Sequence, residues 1–171
     1  MSAKSSRTLT TEESLGVLER AVSVANQAMC TLKLQRRRLA SKEPEDDQFV
    51  FRFWADLEYF ILSLNHLRRA ALLAQRVDPV KDQLQTAIDQ FNSDLPNLTM
   101  MRDVIEHIED YGADDGRKHA VSRRQLQVGT WDGTTFRWLK SELNVDDALA
   151  ACLRLFGEIR SARDSYVKSG Y

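Results

Sequence analysis

Three side chains on one predicted helix combine the groups that acid–base chemistry on a phosphate ester requires. Arg102, Asp103 and His107 lie within the segment TMMRDVIEHIEDYG, residues 99–112. An imidazole exchanges protons near neutral pH, and a guanidinium forms paired hydrogen bonds with phosphate oxygens. A carboxylate four residues before a histidine on a helix can accept a hydrogen bond from the imidazole and select its tautomer. The residue types are compatible with an acid–base site that binds a phosphate, and the alternative is an ordinary solvated helix surface.

The apolar spacing of this segment places the three side chains on the solvent side of an amphipathic helix. At about 100° per residue, the apolar residues form one arc; they are Leu98, Met101, Val104, Ile105 and Ile108. Asp103 and His107 fall on the opposite arc, and Arg102 lies at its edge. The helix is predicted to span about 98–111 and to end at Gly112, which suits a left-handed C-terminal cap.

The motif RDVIEH, residues 102–107, resembles the signature of the HEPN superfamily (higher eukaryotes and prokaryotes nucleotide-binding). That signature has an arginine, a polar residue directly after it, and a histidine further along a late helix of an α bundle. The resemblance implies a homodimer with facing motifs and RNA cleavage without a metal ion or other cofactor. It implies that Arg102 binds the scissile phosphate, that His107 exchanges protons with the ribose 2′-hydroxyl or the leaving oxygen, and that Asp103 orients His107. A toxin–antitoxin or phage-defence role follows, with an antitoxin protein as a further partner.

A basic segment after the helix predicts contacts with an RNA backbone. RKHAVSRR, residues 117–124, contains Arg117, Lys118, Arg123 and Arg124. Cationic side chains bind phosphates by releasing counterions. The alternative interpretation of this segment is a solvated loop that binds no ligand. No metal site is predicted, because the three histidines and two cysteines match no ligand spacing.

Two other functions fit the same sequence. A non-catalytic helical protein-interaction module, or inactive HEPN-like scaffold, would use the second predicted helix, at about 47–77, as a contact surface. This helix is apolar on more than one side, so it lies either at the centre of a bundle or in an interface between chains. A nucleotide-binding bundle without turnover is the third interpretation.

Four long or medium helices and one short helix are predicted to position these residues. They begin near Thr11, Asp47, Val80, Leu98 and Val145, and Asn144 is expected to cap the last one. Short connections favour antiparallel neighbours, so the fold class is an all-α up-and-down bundle. We expect one domain at 11–169 after a disordered arm at 1–10.

A β-hairpin is predicted at about 125–139, immediately before the last helix. The pair Asp132-Gly133 between two β-rich runs indicates a two-residue turn, which pairs Trp131 with Thr134. One face of this ribbon then carries three aromatic residues: Trp131, Phe136 and Trp138. Exposing them together would be costly, so we expect this face to cover the bundle, with base stacking as the alternative.

Composition limits the class of protein. The 171 residues suit one domain, and the formal net charge of −1 means that nucleic-acid binding would depend on local patches. No clean apolar run of roughly 20 residues and no secretory signal is visible. The chain is therefore expected to be cytoplasmic, without a membrane partner and with free thiols.

Overall fold

A computed structural model describes residues 8–41, 52–117, 121–127 and 129–170, and 74% of these residues are helical. The helices are α1 (Thr11–Leu39), α2 (Arg52–Ala74), α3 (Lys81–Asp94), α4 (Leu98–Glu106), α5 (Ile108–Gly112), α6 (Arg123–Leu126) and α7 (Val145–Lys168). The strands are β1 (Thr130–Trp131), β2 (Thr135–Trp138) and β3 (Ser141–Asn144). The prediction of a helical bundle with a small β element before the last helix is confirmed.

Local capping signals set the start of α1. The Thr10 side chain accepts a hydrogen bond from the Glu13 backbone at 3.2 Å, and the Glu13 carboxylate accepts one from the Thr10 backbone at 2.9 Å. This reciprocal pair satisfies two amides that the first turn would otherwise leave unbonded. At the other end of α1, Arg36 lies 2.6 Å from Asp146 in the first turn of α7, which ties the two helices together.

The apolar α2 is buried by its own chain. Phe60, Ile61, Leu64 and Leu67 have no exposed surface, because α2 packs against α1, α3, α4 and α7. The central position is therefore the correct one of the two alternatives for this helix.

None of the described helices combines the length and hydropathy of a membrane span. Both cysteines are free, as predicted.

Three predicted segments lie partly outside the described residues. They are the arm at 1–10, the loop at 41–47 and the first turn of the predicted second helix. The structure therefore describes α2 only from Arg52 onward.

The β element occupies the predicted place, but the predicted register is wrong. Trp131 pairs with Phe136, so four residues rather than two lie between the last paired residues of β1 and β2. The reason is that the Asp132 carboxylate accepts hydrogen bonds from the Thr135 and Thr134 backbones, at 2.8 and 3.0 Å, which stabilises a wider loop. The same bonds hold the pKa of Asp132 well below its ordinary value.

A third strand, β3, was not predicted. It pairs with β2 through a two-residue turn at Leu139 and Lys140, whose φ angles of 55° and 59° lie in the left-handed region. Such a turn normally uses Asn, Asp or Gly. A Leu-Lys pair carries no such signal, so the sequence pattern does not indicate the strand.

The aromatic face of the sheet covers the bundle, as expected. The Trp54 ring of α2 lies 5.3 Å from Phe136 and 5.8 Å from Trp138, both in edge-to-face geometry. The backbone at Gly129, immediately before β1, approaches the same ring so closely that a Cβ on Gly129 would lie 2.5 Å from it. Trp54 is therefore the point at which the sheet docks.

Asn144 caps α7, and replacing it by alanine should measurably destabilise the protein. Its side-chain oxygen accepts hydrogen bonds from the Asp146 and Asp147 backbones, at 3.0 and 3.1 Å. We expect Asn144→Ala to lower the free energy of unfolding by about 1 kcal/mol in urea denaturation. Asn26→Ala, in the exposed middle of α1, is the matched control and should be neutral or stabilising, since alanine is the better helix former. Equal losses in both variants would contradict a capping role.

Candidate functional site

The predicted helix at 98–111 is broken at His107. α4 ends at Glu106 and α5 begins at Ile108, because the His107 backbone has the non-helical angles φ −130° and ψ 41°. The break turns Ile108 outward, to 51% exposure, and lets α5 bury the large ring of Tyr111. The predictions of one continuous helix and of a core position for Ile108 are therefore wrong.

Asp103 contacts Tyr111 instead of the imidazole. Its Oδ2 atom accepts a hydrogen bond from the Tyr111 hydroxyl at 2.8 Å, while the His107 backbone N–H donates to the Asp103 carbonyl at 3.1 Å. In a continuous helix the Asp103 and His107 side chains would be neighbours. The Asp103 carbonyl thus accepts the backbone hydrogen bond at the break. Among the described residues, the Asp103 carboxylate makes no hydrogen bond with the His107 imidazole, so the structure gives no support to the predicted orienting role.

The His107 imidazole lies beside two carboxylates of α5. Its ligand atom and those of Glu109 and Asp110 all lie within 4.8 Å of one another. Imidazole and carboxylate groups are ligands for divalent transition metals. On a continuous helix His107 and Asp110, three residues apart, would also be neighbours, whereas Glu109 would not. Both carboxylates are exposed to solvent, and the cluster by itself assigns no metal.

Arg102 is half-buried and already paired. Its NH1 group donates to Glu106 at 2.5 Å, as the spacing of four residues favours. The Nε atom is buried without a hydrogen-bond partner among the described residues. A bound phosphate would therefore compete with Glu106 for the guanidinium.

The structure brings part of the basic segment next to the helix break. α6, which begins with the exposed residues Arg123 and Arg124, packs against α5. The Asp114 carboxylate accepts a hydrogen bond from the Arg123 backbone at 2.7 Å and thereby anchors α6. Neither guanidinium forms an ion pair with the described residues. Arg117 is exposed, and Lys118 lies outside the described part of the chain.

A cleft of about 560 Å³ separates α2 from the α4–α5 break, α6 and the sheet. Its volume is typical of small-ligand sites. The lining residues are Trp54, Glu58, Ile105, Ile108, Leu126, Gln127 and Trp138. Ile105 and Ile108 flank His107 in the sequence, so the cleft borders the predicted site. Trp54 and Glu58 were not predicted as site residues.

Glu58 stands out among the lining residues because it is the carboxylate of an otherwise largely apolar wall. Partial burial raises the pKa of this carboxyl above its ordinary value. It forms no hydrogen bond or ion pair with the described residues. The only sequence signal for it is an acidic residue that interrupts the apolar run at 49–67.

A second groove, of about 440 Å³, lies between α3 and α7. Its polar side chains already pair with each other: Arg154 lies 2.8 Å from Asp94, and Gln83 lies 2.8 Å from Glu158. None of the residues predicted to carry chemistry lines this groove.

The candidate site therefore consists of the His107 break, the Arg102 guanidinium before it, and a cleft with α6 as a further wall. The imidazole can exchange protons, the guanidiniums can bind anions, and the cleft can hold a flat apolar group. No protein-family model, curated protein or solved structure matches the chain.

Proposed function

We propose that the protein is a HEPN-like endoribonuclease of toxin–antitoxin or phage-defence type that acts as a homodimer without a metal ion. The observation that carries the proposal is a cleft lined by Ile105 and Ile108, on either side of His107 in the chain, and by Leu126 of α6. α6 begins with Arg123 and Arg124, which form no ion pair with the described residues. Apolar walls accept bases, and guanidiniums bind the phosphates between them. The cleft and the basic helix thus supply what a single RNA strand needs near a proton-transferring imidazole.

The chemistry follows from the two imidazoles of a dimer. The His107 imidazole of one protomer removes the proton from a ribose 2′-hydroxyl, and the 2′ oxygen attacks the adjacent phosphorus. The P–O5′ bond breaks as the imidazolium of the partner's His107 donates a proton to the leaving 5′ oxygen. The products are a 2′,3′-cyclic phosphate and a 5′-hydroxyl, and the two imidazoles have exchanged protonation states.

Arg102 stabilises the negative charge that develops on the phosphate during this step. Its contact with Glu106 holds the guanidinium until phosphate oxygens replace the carboxylate. Asp103 acts indirectly, because its bond to Tyr111 maintains the helix break that presents the imidazole. The proposed catalytic residues are therefore Arg102 and His107, with Asp103 as a positioning residue.

The direct test is incubation of the purified protein with single-stranded RNA in the presence of EDTA. We expect fragments with 2′,3′-cyclic phosphate and 5′-hydroxyl ends, and a dimer by light scattering. Activity that disappears in EDTA and returns with a divalent metal would refute the metal-independent mechanism. Full activity in a strict monomer would refute the shared site.

The second candidate is the non-catalytic interaction module, and the charges around the site favour it. The carboxylates of Glu106, Glu109 and Asp110 surround the break and repel an RNA backbone. Ile108 exposes an apolar side chain at the same place, which suits contact with another protein. A protein that forms a stable complex but leaves RNA intact under the conditions above would favour this alternative.

A further inference from the structure

We infer that the cleft beside the His107 break binds a guanine base, and that Glu58 accepts hydrogen bonds from the guanine N1–H and N2–H groups. The inference rests on the proposed function for its RNA substrate and goes beyond it by naming the base and the residue that selects it. It assigns a binding role to Glu58 and the cleft walls, which take no part in the proton transfers described above.

The walls of the cleft suit one flat, largely apolar ring system. Five of the seven lining residues are apolar or aromatic; they are Trp54, Ile105, Ile108, Leu126 and Trp138. Ile108 is half exposed although its side chain is entirely hydrocarbon, so a base against it would remove apolar surface from water. The volume of about 560 Å³ accommodates a nucleobase with part of its ribose.

Two polar side chains line the cleft, Gln127 and Glu58, and Glu58 is the charged one and so restricts most which base fits. Glu58 is exposed at the edge of the cleft. An ionised carboxylate accepts hydrogen bonds and donates none, so a ligand that replaces water at Glu58 must present donors. The described residues supply no donor to Glu58, and partial burial deprives its carboxyl of part of its hydration. A ligand with two adjacent N–H groups would satisfy both oxygens at once.

Guanine is the RNA base with that arrangement. Its Watson–Crick edge places the N1–H and N2–H donors side by side, at the spacing of the two carboxylate oxygens. Adenine and cytosine put a ring-nitrogen acceptor beside their amino group, and uracil flanks its single N–H with two carbonyls. Each of these three edges brings an acceptor against the Glu58 carboxylate and is repelled by it.

The test compares binding of guanosine, inosine and adenosine 5′-monophosphates to the full-length protein by titration calorimetry. Inosine lacks only the N2 amino group, so we expect about tenfold weaker binding for it, and a larger loss for adenosine. Inorganic phosphate should not displace the guanine nucleotide at equal concentration. Equal affinity for the three nucleotides, or displacement by phosphate, would overturn the inference.

Glu58→Gln is the informative variant, because it keeps the side-chain volume and replaces one acceptor by a donor. We expect at least a tenfold loss of affinity for the guanine nucleotide, with an unchanged melting temperature. Glu158→Gln, in the α3–α7 groove, is the matched control and should bind as the wild type does. Unchanged guanine preference in Glu58→Gln would refute the role of Glu58.

Nucleotide binding and RNA cleavage are separate readouts. Guanine-selective binding without RNA cleavage would refute the nuclease and leave the cleft assignment in place. RNA cleavage without guanine preference, in the cleavage map as well as in binding, would support the nuclease and refute the cleft assignment.

Discussion

His107→Ala is expected to lower the rate of RNA cleavage by a factor of about 10²–10⁴, the usual contribution of a general acid or base. In a shared site the substitution removes both imidazoles, so the loss should lie toward the upper end of this range. Thermal stability should change by about 0.5 kcal/mol or less, because the side chain is partly exposed and alanine can adopt the backbone angles of the break. Initial rates on a labelled single-stranded RNA, together with a melting curve, measure both effects.

His66→Ala is the control for this experiment. His66 is an exposed histidine on α2, two turns beyond Glu58, and it should retain the wild-type rate. Equal cleavage by the wild type and His107→Ala would exclude the imidazole from the reaction. A loss in His107→Ala that accompanies a large fall in melting temperature would show a structural role instead.

Phe60→Ala should produce the largest loss of stability, about 3–5 kcal/mol in the free energy of unfolding. The Phe60 ring has no exposed surface, and its removal leaves a cavity between α2 and its neighbours. Because a domain of this kind is stable by about 5–15 kcal/mol, the variant should be close to unfolding at elevated temperature. Urea denaturation measured by circular dichroism determines the difference.

Tyr59→Ala offers the matched control on the same helix. The Tyr59 side chain is 59% exposed, so its removal should change the free energy of unfolding by about 0.5 kcal/mol or less. Neither substitution should alter the oligomeric state, because the inner face of α2 is covered by the same chain. A Phe60→Ala variant with nearly unchanged stability but a dissociated dimer would place that face between two chains instead.

Elements with local signals were predictable from the sequence. The Thr10–Glu13 capping box and the Asn144 cap mark the starts of α1 and α7, because the groups that satisfy the first amides are adjacent in the chain. The aromatic alternation around Phe136 likewise indicated which face of the sheet is buried.

Features that depend on contacts between distant segments were not predictable. The apolar residues keep their helical spacing through His107, so the sequence does not indicate a break there. The break becomes apparent only in the folded chain, where Tyr111 is buried. Trp54 and Glu58 look like ordinary members of an apolar helix until the sheet and α6 complete the cleft around them. The pairing of Asp103 with Tyr111 rather than His107 follows from the same break.

The Leu139-Lys140 turn makes the small sheet dependent on the bundle. The left-handed backbone conformation costs about 1–2 kcal/mol of free energy at each of these two residues, because both carry side chains. Three short strands by themselves contribute too little stabilisation to offset this cost. Burial of Leu139 and the contact of Trp138 with Trp54 provide the compensation. An excised peptide spanning 129–144 would therefore remain a random coil, and a ligand that displaced Trp54 would also loosen the strands.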